Sequence, residues 1–216
     1  MSSRRRSERR RSWRRSAVVR WSSPALAALL VASASYAFNR EPSQPLAPEP
    51  SALNDSDSKR LFLTAEQSTQ LRTHFGGGKP VRSILKTPGR LQYGEHVWSE
   101  DGVPAGRVWV RVDRASQLIS VFRGGHEIGT AVVLYGAGDN PTPSGAYPII
   151  WKRKDHVSSI YDAPMPYTLR ITGYGVAIHG SDVRAGRATH GCIGVPIEFA
   201  RLLFGQARLG DVVQIV

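Results

Sequence analysis

The sequence predicts a mainly β domain over residues 105–216, with mostly antiparallel strands and few short helices. In the stretch RVWVRVD, valines alternate with Arg107, Trp109 and Arg111, which is the period of a strand with one buried face. The Gly124-Gly125 pair between the next two apolar stretches suits a tight hairpin turn. Further short apolar stretches recur between turn residues. The predicted strands are RVWVRVD (107–113), QLISVF (117–122), HEIGTAVVLY (126–135), GAYPII (145–150), YTLRIT (167–172), GVAIHG (175–180) and DVVQIV (211–216).

Two short helices complete the prediction. One begins at Pro196, a residue that suits the first turn, with Glu198 favouring the positive helix start and Gly205 ending it. The other covers residues 65–75, where the capping box TAEQ precedes the apolar residues and three glycines follow. The apolar stripe of the helix that begins at Pro196 consists of Ile197, Ala200, Leu203 and Phe204.

The net charge of +12 is concentrated at the amino terminus. Residues 1–37 hold nine arginines against Glu8, which accounts for +8 of that charge. The run RRRSERRRSWRRS lacks the interleaved aromatics and the fold context of a nucleic-acid reader, so we expect no nucleic-acid partner. An apolar stretch at residues 22–38 follows this run, which is the order of a secretory signal, and Ala32-Ser33-Ala34 offers a cleavage site.

Two interpretations of residues 1–38 stay open: a cleaved signal peptide, or an uncleaved inner-membrane anchor through residues 21–38. Both place the rest of the chain outside the cytoplasm, because arginines stay on the inner side of the membrane. We therefore expect a periplasmic or cell-envelope location. Residues 39–60, rich in Pro and Ser, are predicted to form an extended linker. Residues 61–104 form a small segment with the possible short helix and no assigned function.

Cys192 is the single cysteine of the chain. In an oxidising compartment a lone thiol is a liability unless it is buried, paired between chains or used. His179 stands thirteen residues before it, at the end of a predicted strand, and His190 stands two residues before it. A neighbouring imidazole lets a cysteine thiolate form near neutral pH. We expect the polar loop between His179 and Cys192 to fold back and bring the two side chains together. The start of the predicted helix adds positive charge that also favours the thiolate.

Two other interpretations of this cluster remain. Cys192 could be a small buried apolar residue, although its polar neighbours fit a core strand badly. His179, His190 and Cys192 could ligate zinc, although their spacing matches no usual pattern and no fourth ligand stands out. The sequence shows no metal or dinucleotide motif, so we expect no cofactor. The histidines expected at the surface are His74, His96, His126 and His156.

The stretch IHGSDVRAGRATHGCIGVP resembles the signature of L,D-transpeptidases of the YkuD type, in which a histidine precedes Ser/Thr-His-Gly-Cys. VRVDRASQLISVFRGG, GTAVVLYGAGDNPTPSGAYPI and GVAIHG resemble further segments of that family in the same order. The resemblance covers about residues 107–216. It implies an L,D-transpeptidase-like β-sandwich as the catalytic domain, acting on peptidoglycan stem peptides in cell wall biogenesis. We expect a monomer.

The resemblance also implies a role for each site residue. Cys192 would form a thioester with a tetrapeptide stem and release D-alanine, and an amine would then take the acyl group to give a 3→3 cross-link. His179 would accept and donate the protons, and the backbone of Gly180 would orient its ring. Backbone N–H groups around His190 and Gly191 would stabilise the oxyanion. The residue in the Ser/Thr position of the signature, at the substrate, is Thr189.

Gly194 departs from the family pattern, which commonly has Arg or Asn two residues after the cysteine. Arg184 and Arg187 in the preceding loop could replace that contact by binding a stem carboxylate. A hydrolase on the same scaffold, with water as the acceptor, and a non-catalytic wall-binding module are the alternative functions. Three tyrosines could line the cleft, although core or surface packing is the favoured interpretation for each: Tyr161, Tyr167 and Tyr174.

Overall fold

The computed structural model describes residues 58–75 and 78–216. The signal peptide or anchor and nearly all of the linker lie outside the described residues, so those assignments stay predictions. Within the described ranges, no helix is long and apolar enough to cross a membrane.

The described chain contains twelve short strands and two helices. Both helices occupy the segments in which the sequence predicts them. In chain order the elements are β1 (Arg60–Phe62), α1 (Ala65–Phe75), β2 (Ser83–Leu85), β3 (His96–Trp98), β4 (Val108–Asp113), β5 (Leu118–Arg123), β6 (His126–Val132), β7 (Gly145–Pro148), β8 (Trp151–Arg153), β9 (Thr168–Arg170), β10 (Ala177–Ser181), β11 (Ile193–Pro196), α2 (Ile197–Gln206) and β12 (Val212–Ile215).

The strands form two sheets. The larger sheet has eight strands in the order β1-β2-β6-β5-β4-β12-β7, with β3 also paired to β6. The smaller sheet has four strands in the order β11-β10-β9-β8. Three pairings are parallel, namely β2 with β6, β4 with β12 and β10 with β11, and the others are antiparallel. The prediction of a mainly antiparallel β fold is therefore confirmed.

One apolar core joins the two sheets. Val110 of β4 and Val121 of β5 belong to the same buried cluster as Leu169, Ile178 and Ile193 of the smaller sheet. Each of these side chains is at most 1% exposed, so the two sheets pack face to face as a sandwich. The helix α2 closes this core with three buried side chains, which are Phe199, Ala200 and Leu203.

Strand β4 is buried on both faces, whereas its alternating sequence predicts one buried face. Trp109, on the face away from the sandwich core, is only 7% exposed. Its ring stacks on Phe122 with centroids 4.4 Å apart, and Val81 and Leu71 complete this second cluster. Leu71 belongs to α1, so the segment before β4 covers the outer face of the larger sheet. Local alternation gives no information about such a remote cover.

Five strands were not predicted: β1, β2, β3, β8 and β11. The first four have only three residues each, too few to show a period of two. The fifth ends at Pro196, whose φ of −52° and ψ of 140° are extended, so Pro196 precedes α2 instead of standing in its first turn. Ile197, which the sequence analysis placed in the buried stripe, is consequently 54% exposed, and Phe199 is buried in its place.

Candidate active site

One face of the four-stranded sheet forms the floor of a cleft of about 700 Å³. Successive side chains of a strand point to opposite faces of its sheet. In β10, Ile178 therefore enters the core while Ala177 and His179 line the cleft. Because Ile178 is buried in the core, the alternation of the strand places the next side chain, the imidazole of His179, in the cleft.

Parallel pairing brings Cys192 to the same face. Strand β11 pairs with β10 so that Ile178 lies opposite Ile193 and His179 opposite Gly194. Cys192 immediately precedes β11, and the register continues to place it beside Ala177. Parallel strands start at the same end of a sheet, so the loop of residues 182–192 must return along β10. This return brings thiol and imidazole into one cleft, as we expected for a loop that folds back.

The thiol is held by backbone groups at the edge of β10. Cys192 Sγ–H donates to Gly175 O at 3.8 Å, and the backbone of Ala177 hydrogen-bonds to the sulfur. Burial raises the pKa of the Cys192 thiol above its ordinary value of 9.0, and the Ala177 contact lowers it by less. At neutral pH the resting residue is therefore a thiol.

His179 is also neutral at rest. Its Nδ1 lies 3.0 Å from the carbonyl oxygen of Gly180, which can only accept, so Nδ1 carries the proton. The lone pair is then on Nε2, where a general base needs it. Burial lowers the pKa of His179 below the ordinary value of 6.5, the Gly180 contact opposes this, and His156 lowers the pKa further. The Gly180 carbonyl therefore contacts the ring at Nδ1, and its role in orienting a catalytic histidine stays a prediction.

The expected stabilisation of a thiolate by the helix start is wrong. Helix α2 begins only at Ile197, after the whole of β11, and burial dominates the pKa of Cys192. A neutral thiol and a neutral imidazole that line one cleft suit proton transfer during nucleophilic attack rather than a preformed ion pair.

Among the described residues, three consecutive backbone N–H groups, ending at that of the cysteine itself, lack a partner. Within the described part of the chain, the N–H groups of His190, Gly191 and Cys192 have no hydrogen-bond acceptor. Gly191 has a φ of +100°, which L side chains rarely adopt. A glycine at this position permits that backbone conformation, and free N–H groups next to a cysteine in the chain are the kind of donor that an oxyanion requires.

The buried hydroxyl of Thr142 stabilises the turn at Gly191 by hydrogen bonding. Its side chain is 1% exposed, its Oγ1 accepts from the N–H of Gly136 at 2.8 Å, and the same hydroxyl donates to Gly191 O at 3.0 Å. Gly136 approaches so closely that a Cβ there would lie 2.4 Å from Gly191 N. Thr189 adds a further contact by donating its Oγ1 to Cys192 O at 2.5 Å, and it lines the cleft.

His190 lies at the cleft wall, where its ring stacks on Tyr161 with centroids 4.6 Å apart. Tyr161 and Tyr174 both line the cleft, which is the alternative that the sequence analysis favoured less. Tyr167 does pack, edge-on against Phe204 with centroids 5.9 Å apart. The two cleft tyrosines give no periodic signal because they lie in loops outside the strands.

The histidines expected at the surface lie in different environments. His156 lines the cleft and contacts the ring of Trp151 edge-on at 5.1 Å, so that expectation is wrong for this residue. His96 packs edge-on against Phe199, and His126 Nδ1 hydrogen-bonds with Ser83 Oγ at 2.9 Å. The side chain of His74 lies outside the described residues.

The two loop arginines do not line the cleft. Arg184 Nε lies 2.8 Å from Asp182 Oδ1, and Arg187 Nη1 lies 3.7 Å from Asp182 Oδ2. Arg170 of β9 lines the cleft instead, which the sequence analysis missed. It occupies a strand position in the middle of YTLRIT, and only the sheet register shows that its side chain shares the face of Cys192.

The packing around Gly194 explains why a glycine occupies this position. A Cβ there would lie 3.0 Å from Ser181 Cβ and 3.5 Å from Leu134 Cβ. Leu134 and Gly194 also exchange backbone hydrogen bonds of 2.8 and 2.9 Å. A side chain at this position would require Ser181 to shift by a few tenths of an ångström, and glycine avoids this close contact.

The described residues contain no group of three His, Cys, Asp or Glu side chains placed to hold a metal. Within the described ranges, His179, His190 and Cys192 therefore do not form the zinc site considered from the sequence. Their contacts are instead with backbone carbonyls, backbone N–H groups and an aromatic ring.

A family model described as the L,D-transpeptidase catalytic domain, YkuD, matches residues 107–215. The chain belongs to this family. The matched residues include Cys192, His179, the turn at Gly191 and the Thr142 contact. The L,D-transpeptidase-like β-sandwich expected from the sequence is thereby confirmed.

Several solved structures of L,D-transpeptidases are similar to this chain. One from Stackebrandtia nassauensis is 25% identical, covers 55% of this chain and 60% of its own, and has a TM-score of 0.48. One from Mycobacterium tuberculosis is 24% identical, covers 50% of this chain and 57% of its own, with a TM-score of 0.47. One from Mycobacterium smegmatis is 18% identical, covers 65% and 64%, and has a TM-score of 0.48. The chain thus spans less than two thirds of these proteins. A search among curated proteins found no match.

Proposed function

We propose that this protein cross-links peptidoglycan stem peptides by L,D-transpeptidation, with Cys192 as the nucleophile. The observation that carries the proposal is the placement of Cys192 and a correctly protonated His179 on one face of a cleft, beside unsatisfied backbone donors. Membership of the L,D-transpeptidase family supports the same chemistry.

Acylation follows from the resting protonation states. His179 Nε2 takes the thiol proton as Cys192 Sγ attacks the carbonyl between the third stem residue and D-alanine. The carbonyl electrons move to oxygen, where the N–H groups of Gly191 and its neighbours stabilise the negative charge. When the intermediate collapses, the C–N bond breaks and His179 returns its proton to the departing amine of D-alanine. A thioester on Cys192 remains.

Transfer reverses these roles. An acceptor amine attacks the thioester carbonyl and gives its proton to His179, and the C–S bond then breaks as the thiol regains a proton. If the acceptor is the side-chain amine of another stem, the product is a 3→3 cross-link. If water attacks instead, the product is a tripeptide and the enzyme is a hydrolase. Both outcomes share the acyl-enzyme, so the acceptor decides between them.

The decisive experiment is muropeptide analysis after incubation of purified sacculi with wild-type protein and with Cys192→Ala. New 3→3 dimers formed only by wild type are expected. Tripeptides without dimers would replace transfer by hydrolysis. No change in the sacculi, or equal change with Cys192→Ala, would leave the wall-binding alternative as the better interpretation.

We further propose that the catalytic domain works in the cell envelope. The basic run and the apolar stretch within residues 1–38 support export, and the domain of residues 105–216 would then face the wall. Cell fractionation combined with amino-terminal sequencing of the isolated protein tests this. Recovery in the cytoplasm would refute it, and the observed first residue would distinguish a cleaved signal from an anchor.

A further inference from the structure

The cleft around Cys192 has an unusual charge composition. Among the described residues that line it, Arg170 is the one side chain with a permanent charge, and no Asp or Glu is present. The remaining lining consists of aromatic, aliphatic, small, hydroxyl, amide and imidazole side chains. A cleft with one fixed positive charge and no fixed negative charge favours an anionic ligand.

Sheet register aligns Arg170 with the nucleophile. Arg170 of β9 lies opposite Ala177 of β10, and Ala177 lies beside Cys192 in the parallel register of β10 and β11. These residues form one row across the sheet, so their side chains share the cleft face. Two strand spacings separate the Cα atoms of Arg170 and Cys192 by about 10 Å. The small side chain of Ala177 leaves the floor between them open.

The guanidinium is positioned but not neutralised. Arg170 Nε donates to Thr172 O at 3.1 Å, and Nη2 donates to Gly173 O at 2.6 Å. Nη1 and the second hydrogen of Nη2 keep free donors, the pair of nitrogens that grips a carboxylate. No carboxylate of the described residues forms an ion pair with Arg170, whereas Arg184 and Arg187 are both paired with Asp182.

We propose that Arg170 binds a carboxylate of the acyl-donor peptide and so sets the donor's position over Ala177 beside Cys192. This inference rests on the proposed function. Two carboxylates of a stem tetrapeptide share the required chemistry: the terminal carboxylate of the D-alanine that leaves, and a side-chain carboxylate of a diamino acid at position three. Gly194 of β11 supplies no side chain for this purpose, so the anchor comes from β9, two strands away in the same sheet.

Binding measurements separate this proposal from the chemistry of Cys192. The full chain carrying Cys192→Ala is titrated with tetrapeptide by calorimetry, with Arg170→Gln, Arg170→Lys or Arg90→Gln added. Arg90 is exposed and lies outside the cleft lining, so its variant controls for net charge. Arg170→Gln is expected to raise Kd about 10- to 100-fold, the range for losing a hydrogen bond between charged groups. Arg170→Lys should recover part of the loss, and Arg90→Gln should change little.

Amidated tetrapeptides identify the carboxylate. Peptides with the terminal carboxylate, the side-chain carboxylate or both converted to amides are titrated against the same variants. Amidation of the contacted group should weaken binding to the Arg170 protein and abolish the effect of Arg170→Gln. An unchanged Kd for Arg170→Gln, an equal loss with every peptide, or no measurable binding by the Arg170 protein would overturn the proposal.

Transfer on sacculi, measured in parallel with an intact Cys192, keeps the two proposals distinguishable. Cross-linking by wild type together with a Kd that ignores Arg170 would refute only the carboxylate site. Carboxylate-dependent binding through Arg170 without any acyl transfer would refute only the transpeptidase reaction. Alkylation of Cys192 by neutral iodoacetamide at wild-type rate in Arg170→Gln would show that the cleft is intact.

Discussion

Replacing Thr142 by Val tests whether a buried hydroxyl holds the turn that presents the nucleophile. Valine keeps the shape of threonine but removes the group that accepts from Gly136 N–H at 2.8 Å and donates to Gly191 O at 3.0 Å. Thr142 is 1% exposed, and both glycines are buried, so water cannot easily replace the lost partner. The substitution therefore leaves a buried donor and a buried acceptor without hydrogen bonds.

Each orphaned buried group costs about 1–3 kcal/mol, so Thr142→Val should lower the free energy of unfolding by about 2–6 kcal/mol. Urea unfolding of the full chain, followed by fluorescence, measures this. A shifted Gly191 also moves the N–H donors beside Cys192, and kcat/KM for acylation should fall about 100-fold, as small misplacements in active sites do. Acylation is followed by mass spectrometry with a carbapenem.

Thr142→Ser is the matched control, because it keeps the hydroxyl and removes only a methyl group. It should cost about 1 kcal/mol and retain most of the acylation rate. Equal unfolding free energies for the Val and Ser variants would refute the reasoning, since the hydroxyl would then contribute nothing. A large loss of stability with an unchanged acylation rate would show that Thr142 stabilises the fold without positioning the donors.

Three further predictions concern the same cleft. His179→Ala should greatly slow acylation without unfolding the domain. In wild type, kcat/KM should fall on the acid side only below pH 6.5, because the pKa of His179 is lowered and the imidazole stays neutral at pH 6.5 and above. An acid limb above pH 6.5 would contradict the assignment. Iodoacetamide alkylation of Cys192 should rise with pH to a midpoint above 9.0, because its pKa is raised, whereas a flat profile through neutral pH would indicate a preformed thiolate. Gly136→Ala should abolish acylation, since its Cβ would lie 2.2 Å from the backbone oxygen of Asn140. The control outside the cleft is Gly205→Ala, whose Cβ would meet no atom within 4 Å apart from its chain neighbours and the backbone of its own helix. This control should stabilise α2 by about 0.5–1 kcal/mol in urea unfolding. Equal acylation by the two alanine variants would show that the turn tolerates displacement.

The sequence by itself determined the class of the fold and the family, and it singled out the residues to which we assign the chemistry. A lone cysteine preceded by His179 and His190 pointed to a candidate nucleophile and a candidate base, because few other residues can perform that chemistry. The strands with clear alternation lie where the sequence predicts them, and the resemblance to L,D-transpeptidases is confirmed by the family match. These features are local, so a single chain displays them directly.

Only the tertiary structure decided how the site is built. Parallel pairing of β10 with β11 placed Cys192 beside Ala177, and antiparallel pairing with β9 brought Arg170 into the same row. Burial raises the pKa of the Cys192 thiol and lowers that of the His179 imidazole, so it favours the neutral form of both, which the local charge pattern did not indicate. Gly194 has its explanation in Ser181 and Leu134, which pack where a side chain would lie. Register, burial and close approach each depend on residues far apart in the chain, and local sequence patterns carry no record of which distant segments will meet.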